Sequence, residues 1–450
     1  MYRVLAVAGT RPELIKLEPV ISAFERLRGV ETVLMHSGQH MDMMMFEHFL
    51  EELGLVNLKH VAIKASSHHD EDPKVSVSDL ERTVEDTEPD IVLAVGDTYT
   101  VAFSALISHH AGVPFGHVEA GLRSFDPTMP EEGNRIIADH LASICFAPTS
   151  ISAANLAMET IPQNRIEVTG NTIVDACLKH QEKAEESRIV ERLGLDNKSP
   201  LILLTVHRVE NTDDPTRLGN IVETVARLKQ YHFILPIHPR TRDRLRRYGL
   251  FNRLLELPNL TVSPPLGYAD FLKLLSVSEM VVTDSGGVQE EATILGRRCL
   301  VLRETTERPE TVISGSCRVV GIDKFGRLLR QLLPRTAWPL PGKYRGVLGD
   351  GRSGMRIAKA VIKRLRRGLK PRPPRYLDDG FASFRLLRLR GAGSWSRLQH
   401  RLQTNRISIL QIYDRDGRPY WPRGVRVLQD GMSVLVLGCP SVIETLGSRT

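Results

Sequence analysis

Cysteine is scarce in this chain of 450 residues, and its spacing excludes two kinds of site. No two of the five cysteines stand in C-x-x-C spacing, so neither a disulfide framework nor a zinc site is expected. Scattered thiols of odd number are typical of reduced, buried side chains in the cytosol. They are Cys145, Cys177, Cys299, Cys317 and Cys439. We therefore expect a cytoplasmic protein without a bound metal.

The sequence also has no long apolar run. No segment approaches the roughly 18 apolar residues that a membrane span requires. The chain passes from Met1 into a strand pattern without the apolar core of a signal peptide, so no membrane partner is expected. A hydrophobic fraction of 42% with 25% charged residues is normal for a globular protein. Its length predicts two or three domains.

Acidic residues are nearly absent from one late segment. Between Arg352 and Arg406 there are 16 lysines and arginines but only Asp378 and Asp379, which accounts for the net charge of +7. This segment has no nucleic-acid-binding motif and no interleaved aromatic residues, so we do not expect a nucleic acid partner. Contact with nucleic acid or anionic lipid is the weaker alternative.

A G-x-G-x-x-G dinucleotide fingerprint is missing as well, and no nicotinamide cofactor is expected. The first predicted strand, over residues 4–8, leads into Gly9-Thr10-Arg11-Pro12-Glu13 and a helix. Arg11 and Lys16 place two cations at the carboxyl end of that strand, where open α/β sheets bind ligands.

Carboxylates reach the same predicted edge from three places. Asp97 follows the apolar strand at 91–95, Glu119 follows the strand at 114–118, and Glu131 opens a helix. The cations nearby are Arg11, Lys16, Arg123 and Arg135. A single acid at a strand end is usually a helix cap. Three converging acids with several cations instead predict acid–base chemistry on an anionic substrate.

A second turn of this kind lies at residues 281–291. The β-branched strand 281–283 ends in Asp284-Ser285-Gly286-Gly287, where glycines allow close approach of a ligand. Ser285 is placed to cap the next helix, whose amino end suits an anion such as a diphosphate. Glu291, early on this helix, could hold ribose hydroxyls. An ordinary capped strand–helix turn is the alternative.

Other strand ends in this half carry polar residues too. His207 follows the strand at 201–205, and Arg308 lies in the loop after the strand at 299–302. Tyr268 and Phe271, three apart at a helix start, could flank a flat ring or pack in the core. The pattern predicts an α/β protein with two Rossmann-like domains facing a cleft.

We place the domains at 1–170 and 171–368, with the last helix able to pack back on the first domain. A linker at 369–380 and a small β-rich domain at 381–450 follow.

Seven motifs, in order along residues 3–365, resemble those of the non-hydrolysing UDP-N-acetylglucosamine 2-epimerases. They are G-T-R-P-E, G-D-T, H-V-E-A-G-L-R, P-E-E-x-N-R, T-x-H-R-x-E-N, D-S-G-G-x-Q-E-E and T-T-E-R-P-E. The resemblance implies a glycosyltransferase-B-like fold that converts UDP-N-acetylglucosamine to UDP-N-acetylmannosamine without metal or nicotinamide. The implied route eliminates UDP to a 2-acetamidoglucal and then adds it back. We also expect a homodimer or higher homo-oligomer.

The resemblance assigns roles to the residues found above. The catalytic set is Asp97, Glu119, Glu131 and His207, of which the three carboxylates supply acid–base chemistry and His207 meets the diphosphate. The substrate-binding set is Arg11, Lys16, Tyr268, Phe271, Ser285, Gly286, Gly287, Glu291 and Arg308. In this set Glu291 would take the ribose, Tyr268 and Phe271 would lie near the uracil, and Arg308 would hold the phosphate or sugar side.

Two departures leave the substrate and its regulation open. Residues 267–271 and 238–240 follow a variant of archaeal members and of relatives that act on diacetamido sugars. Gln39-His40 matches only part of the loop with which bacterial members hold an activating UDP-N-acetylglucosamine. A UDP-2,3-diacetamido sugar epimerase, a glycosyltransferase on the same fold and a non-catalytic UDP-sugar sensor are the alternatives.

The tail has a β pattern of its own. Strand alternation at 407–413, a hairpin turn at 414–418 and an apolar run at 434–438 follow a Pro-rich basic linker at 370–375. The P-R-G and L-V-L-G motifs resemble the ligand-binding C-terminal domain of TrkA-type potassium-uptake regulators, which implies a small-molecule ligand. An oligomerising β-rich module is the alternative.

Overall fold

The computed structural model describes residues 1–36, 49–55, 58–62, 77–195, 199–332, 338, 344 and 346–369, with six short strands between residues 383 and 438. The expected features outside these residues include Gln39-His40, the linker at 370–375, the hairpin turn at 414–418 and the P-R-G motif at 422–424. The chain forms two compact units. The first contains Met1–Glu47, Leu55–Asn171 and Arg352–Thr450, and the second contains His48–Gly54 and Thr172–Gly351.

A parallel sheet of seven strands lies in the first unit. Its strands are β1 Tyr2–Ala8, β2 Val30–His36, β3 Lys59–Ala62, β4 Ile91–Val95, β5 Phe115–Val118, β6 Ile144–Ala147 and β7 Ile166–Val168. Their order in space is β3-β2-β1-β4-β5-β6-β7. Every residue of β4 is buried, as is typical of parallel strands covered on both faces. The order reverses between β1 and β4, and ligands of open α/β sheets bind outside such a reversal.

The helices of this unit up to residue 158 are α1 Arg11–Glu25, α2 Val77–Thr87, α3 Tyr99–His110, α4 Pro130–Leu141 and α5 Ser150–Met158. Helix α1 begins with a capping box, in which the Glu13 side chain accepts the N–H of Thr10, the N-cap residue. Pro12 fits the first turn because an N–H has no partner there. The sequence thus starts α1 directly at the carboxyl end of β1.

The second unit repeats this plan with six parallel strands. They are β8 Leu201–Thr205, β9 His232–Pro236, β10 Leu260–Ser263, β11 Met280–Thr283, β12 Arg298–Val301 and β13 Cys317–Val319, in the order β10-β9-β8-β11-β12-β13. From residue 172 onward, the described helices of this unit are α6 Thr172–Glu186, α7 Ile189–Arg192, α8 Val209–Thr212, α9 Pro215–Arg227, α10 Pro239–Arg247, α11 Phe251–Leu255, α12 Tyr268–Val277, α13 Gly286–Ile294, α14 Pro309–Ile313 and α15 Ile322–Leu332. Here the strand order reverses between β8 and β11, the strands that precede His207 and Asp284.

The next helix, α16 (Ser353–Arg366), belongs to the first unit and packs against α1. A Cβ on Gly354 would lie 2.3 Å from the carbonyl oxygen of Pro19, so only glycine allows this close approach. The helix ends where Gly368 takes a φ of +73° and Leu369 N–H bonds to the Arg364 carbonyl at 3.1 Å.

The last six strands are antiparallel. They are β14 Ser383–Arg388, β15 Gly393–Ser394, β16 Ser408–Tyr413, β17 Pro419–Tyr420, β18 Val427–Leu428 and β19 Ser433–Gly438. Four of them form a sheet in the order β14-β19-β16-β17, and β15 pairs with β18. Strands β16 and β19 lie where the sequence pattern predicts strands.

Two parallel-sheet Rossmann-like units confirm the predicted fold class. Residues 172–195 contain two helices, since α6 ends at Glu186 and α7 starts at Ile189. The break lies at Ser187, whose hydroxyl accepts the N–H of Ile189 and bonds to Asp270. No helix among the described residues is both long and apolar enough to cross a membrane.

Candidate active site

Glu13 is a buried carboxylate at the carboxyl end of β1. It accepts the N–H groups of Gly9 at 2.6 Å and Thr10 at 2.9 Å, and the hydroxyl of Thr98 at 2.6 Å. Burial raises the pKa of Glu13 to about 7, against these hydrogen bonds, which lower it, and the nearby charge of Asp97 raises it further. Glu13 therefore connects the loop after β1 to Thr98, in the loop after β4.

Glu119 and Lys16 form a buried ion pair at the end of β5. The Lys16 ammonium lies 2.7 Å and 2.8 Å from the two carboxylate oxygens of Glu119. Asn171 Nδ2 lies 3.5 Å from the same carboxylate. Glu119 has a φ of +72°, a left-handed conformation that costs a non-glycine residue energy and is common at functional sites.

Asp97 is half-buried and forms an ion pair with the buried guanidinium of Arg135. The side chain of Asn134 donates to the backbone carbonyl of Asp97 at 2.9 Å. Two consecutive residues of α4 therefore hold the segment that follows β4. The structure brings Asp97 and Glu119 to neighbouring strand ends, since β4 and β5 pair in parallel.

Glu131 and its neighbour Glu132 have different surroundings. Glu132 is buried and accepts the N–H of Ser124 at 3.0 Å, the N–H of Phe125 at 3.0 Å and Arg135 Nη1 at 3.0 Å. Glu131 is half-buried in the first turn of α4. Glu132 thus holds the loop before α4, whereas Glu131 lies at the amino end of the helix that carries Arg135.

Arg11 and Arg123, two predicted cations of this unit, also differ in their surroundings. Arg11 is half-buried at the start of α1. Arg123 is buried and pairs with Asp139 at 2.7 Å and with Glu159 at 2.7 Å. Burial disfavours the charge of Arg123, but these two carboxylates raise its pKa well above the ordinary value. Arg123 is therefore committed to contacts within the protein.

Asp284 organises the corresponding edge of the second unit. It is fully buried and accepts the N–H groups of His207 at 3.1 Å and Arg208 at 3.0 Å, and Nδ2 of Asn211 at 3.0 Å. The ring Nδ1 of His207 lies 3.3 Å from the same carboxylate. Asp284 therefore shapes the loop after β8 and orients the imidazole of His207.

Ser285 is the N-cap residue of α13, as predicted, but its hydroxyl makes no capping hydrogen bond. The expected side-chain cap is therefore wrong. The Ser285 N–H donates to the side-chain hydroxyl of Thr283 at 2.9 Å, and this bond holds the turn. A Cβ on Gly286 would lie 2.7 Å from Glu307 Oε1, whereas one on Gly287 would meet only Ser285 Oγ at 3.9 Å.

The acids and cations behind α13 are buried and paired. Arg308 Nε lies 2.5 Å from Glu290, and Arg303 lies 2.6 Å from Glu307. Glu291 is buried on α13. The pKa of the Cys177 thiol is raised by the burial of the thiol itself and, to a smaller extent, by the charge of Glu291. The predicted contacts of Glu291 and Arg308 with a ligand stay predictions.

Tyr268 and Phe271 lie at the start of α12. Tyr268 is 3% exposed, and its ring lies edge-on to His180 with 5.3 Å between centroids. Phe271 is partly buried against the apolar core of the second unit. Both contacts are those of core residues, and the predicted place beside the uracil stays a prediction.

Sequence reasoning missed four residues that shape these edges: Glu13, Asp139, Asp284 and Asn211. Three of them stand inside the quoted motifs G-T-R-P-E, D-S-G-G and T-x-H-R-x-E-N, so the signal was present. Asp139 stands outside every quoted motif, and only the fold brings it to His117 and Arg123. Among the described residues, no group of three or more His, Cys, Asp or Glu side chains could hold a metal ion.

A family model described as UDP-N-acetylglucosamine 2-epimerase matches residues 22–362. The chain is also 41% identical over 364 residues to the UDP-N-acetylglucosamine 2-epimerase of Methanocaldococcus jannaschii, covering 79% of this chain and 97% of that protein. The chain belongs to the UDP-N-acetylglucosamine 2-epimerase family. The resemblance drawn from its motifs is thereby confirmed.

Two further comparisons concern other members of this family. A crystal structure of the Methanocaldococcus jannaschii UDP-GlcNAc 2-epimerase, in complex with UDP-GlcNAc and UDP, matches with a TM-score of 0.72 and 39% identity. That match covers 80% of this chain and 99% of the other. The UDP-2,3-diacetamido-2,3-dideoxy-D-glucuronate 2-epimerase of Pseudomonas aeruginosa is 34% identical over 367 residues, which cover 80% of this chain and 99% of that protein.

Proposed function

We propose that this epimerase acts on UDP-N-acetylglucosamine and inverts C2 to give UDP-N-acetylmannosamine. The observation that carries the proposal is the pair of neighbouring strand ends in the first unit, where Asp97 and Glu119 each meet a cation. A carboxylate must be ionised to remove a proton from carbon, and an adjacent cation favours that ionised form. The 41% identity to the Methanocaldococcus jannaschii enzyme supports the same substrate.

The proposed reaction has two steps. In the first, a base removes the proton from C2, a C1–C2 double bond forms, and the C1–O bond breaks with its electron pair leaving on UDP. In the second, the UDP oxygen adds back to C1 while an acid delivers a proton to the opposite face of C2. Asp97, Glu119 and Glu131 supply the base and the acid in this proposal. The net reaction needs no oxidant or reductant, since no electrons are exchanged with another molecule.

The second unit is proposed to hold UDP as both leaving group and nucleophile. His207, oriented by Asp284, meets the diphosphate together with the amino end of α13, where backbone N–H groups and the helix dipole favour an anion. Glu291 takes the ribose hydroxyls, and Arg308 supports the phosphate or sugar side. Arg11 and Lys16 are the anchors contributed by the first unit.

Incubation with UDP-N-acetylglucosamine in D2O tests this proposal. We expect NMR to show the manno epimer with one deuterium at C2. An addition of deuterium without epimer would indicate that only one proton site works. The absence of exchange, despite tight UDP-sugar binding, would favour a sensor, and turnover only with an added acceptor would favour a glycosyltransferase.

A UDP-2,3-diacetamido sugar is the second candidate substrate, because a relative named for that reaction is 34% identical over most of both chains. Exchange should be measured with both nucleotide sugars at equal concentration. A kcat/KM for the diacetamido glucuronate above that for UDP-N-acetylglucosamine would replace the proposed substrate.

We further propose a cytoplasmic homodimer or higher homo-oligomer, in which residues 381–450 form a TrkA-C-like domain that binds a small ligand. The four described cysteines are free and buried, which suits a reducing compartment. The antiparallel strands of the tail suit a small β-rich domain. Light scattering of the full chain checks the oligomeric state.

A further inference from the structure

One buried histidine contacts the segments beside Asp97 and Glu119. His117 lies in β5, two residues before Glu119, and its side chain is fully buried. Its Nδ1 lies 2.6 Å from Asp139 Oδ1, near the carboxyl end of α4. Its Nε2 lies 2.8 Å from the carbonyl oxygen of Gly96, the residue before Asp97. A single ring thus joins the end of β4, the end of β5 and α4.

Both partners of this ring are hydrogen-bond acceptors. A neutral imidazole donates only one N–H, so a carboxylate and a carbonyl on its two nitrogens are both satisfied only by the imidazolium form. Burial raises the pKa of Asp139, but the charges of Arg123 and His117 lower it to about 2. The ring of His117 is therefore held between the ionised carboxylate of Asp139 and a backbone carbonyl.

Asp139 also fixes the chain on the other side of Glu119. Its Oδ2 accepts the N–H of Gly121 at 3.1 Å. Gly121 has a φ of +80°, and a Cβ there would lie 2.2 Å from the carbonyl oxygen of Ser152, so this segment is closely confined. Glu119, with its own φ of +72°, stands between two residues that bond to one carboxylate. The left-handed conformation of Glu119 is thereby held from both sides.

We propose that His117 and Asp139 act as a positioning pair for Asp97 and Glu119. The pair fixes where these carboxylates stand and takes no part in proton transfer to the sugar; this inference rests on the proposed epimerase function. Re-addition needs an acid on one face of C2 while UDP is still in place, so small displacements should harm it more than binding. A misplacement of about 1 Å can cost about 10²-fold in rate.

The test compares His117→Gln and Asp139→Asn with a matched control on α4, the helix that carries Asp139. The control is His140→Gln: His140 is equally buried on α4, and its Nδ1 lies 2.9 Å from the Ile136 carbonyl of its own helix. For each variant and for the double variant, kcat, KM, Tm and the free UDP released per epimer formed are measured with UDP-N-acetylglucosamine.

We expect His117→Gln and Asp139→Asn each to lower kcat about 10- to 100-fold while KM changes less than about threefold. Free UDP per epimer should rise, because elimination continues after re-addition has become slow. The double variant should lose no more than the worse single variant, since the two residues act as one unit. His140→Gln should keep the wild-type UDP release whatever its Tm.

Equal UDP release in the wild type and all four variants, with rate losses that simply follow Tm, would overturn the inference. Additive losses in the double variant would do the same. If Asp139→Asn does not fold, His117→Gln decides alone, because its amide can still donate to one of the two acceptors. A wild-type protein that shows no exchange at C2 would instead refute the proposed function, so the two failures are distinguishable.

Discussion

The two units place an acid at the same topological position and use it differently. In the first unit, Glu119 and Asp97 follow parallel strands and each meets a cationic side chain, Lys16 or Arg135. In the second unit, Asp284 follows a parallel strand too, but it accepts two backbone N–H groups and the amide of Asn211. Carboxylates at similar positions in the two sheets thus have different partners, which are cations in the first unit and backbone N–H groups in the second.

Among the substitutions that test this comparison, we expect Glu131→Gln to have the largest effect on the rate of C2 exchange. Glu131→Gln should lower C2 exchange by about 10²–10⁴-fold, the usual contribution of a general acid or base, and leave Tm unchanged. The neighbouring substitution Glu132→Gln should lower Tm instead, because it breaks a buried pair with Arg135, at a cost of about 3–5 kcal/mol. Deuterium exchange and calorimetry check both. Wild-type turnover by Glu131→Gln would remove it from the acid–base set.

A smaller effect, on stability and UDP binding, is expected when alanine replaces one of two adjacent glycines of the second unit. The new Cβ in Gly286→Ala would press on Glu307, which cannot move freely because Arg303 holds it at 2.6 Å. We expect a loss of about 1–3 kcal/mol in stability and weaker UDP binding. Gly287→Ala meets no atom within 3.9 Å and should keep its Tm. Equal Tm values for the two variants would contradict this packing argument.

Glu13 gives the first unit a pH dependence of known sign. Its pKa, about 7 when folded and about 4.5 in a free carboxyl, means that the folded state keeps the proton longer. Its contribution to stability is present below pH 4.5 and is lost as the pH rises to 7, by about 3 kcal/mol. Glu13→Gln should remove this slope from urea titrations across that range.

Glu25→Gln, an exposed change at the other end of α1, is the control and should keep the wild-type slope. A slope that is the same in wild type and Glu13→Gln would mean that Glu13 titrates normally.

The sequence predicts local elements of this protein better than contacts between residues that are distant in the chain. Strands and turns were predictable because apolar runs, and the glycines and prolines between them, determine local backbone conformation. Asp97, Glu119 and His207 could be picked out because they follow such apolar runs closely. Their partners were not predictable: Lys16 meets Glu119 across 103 residues, and Asp139 meets His117 only because β5 and α4 pack together. The side-chain cap expected at Ser285 is not formed, and the turn has instead a bond from the Ser285 N–H to the Thr283 hydroxyl that the sequence pattern does not reveal.

The smallest effect is expected from removal of the tail. Truncation after Leu369 keeps the bond from its N–H to the Arg364 carbonyl, which closes α16. If residues 381–450 form a separate domain, the shortened protein should keep the wild-type exchange rate and Tm without added ligand. Aggregation of the shortened protein would contradict the proposed domain boundary.

The division of labour between the units is tested most directly by one paired measurement on Glu119→Gln and Glu291→Ala: the rate of C2 exchange at saturating UDP-N-acetylglucosamine and the Kd for UDP by calorimetry. We predict that Glu119→Gln loses about 10²–10⁴-fold in exchange and keeps its Kd within about twofold. Glu291→Ala should raise the Kd about tenfold or more and keep most of the saturated rate, since one lost charged hydrogen bond corresponds to about 1.5–3 kcal/mol. A Glu119→Gln variant that binds UDP as weakly as Glu291→Ala, or a Glu291→Ala variant as inactive at saturation as Glu119→Gln, would contradict the account.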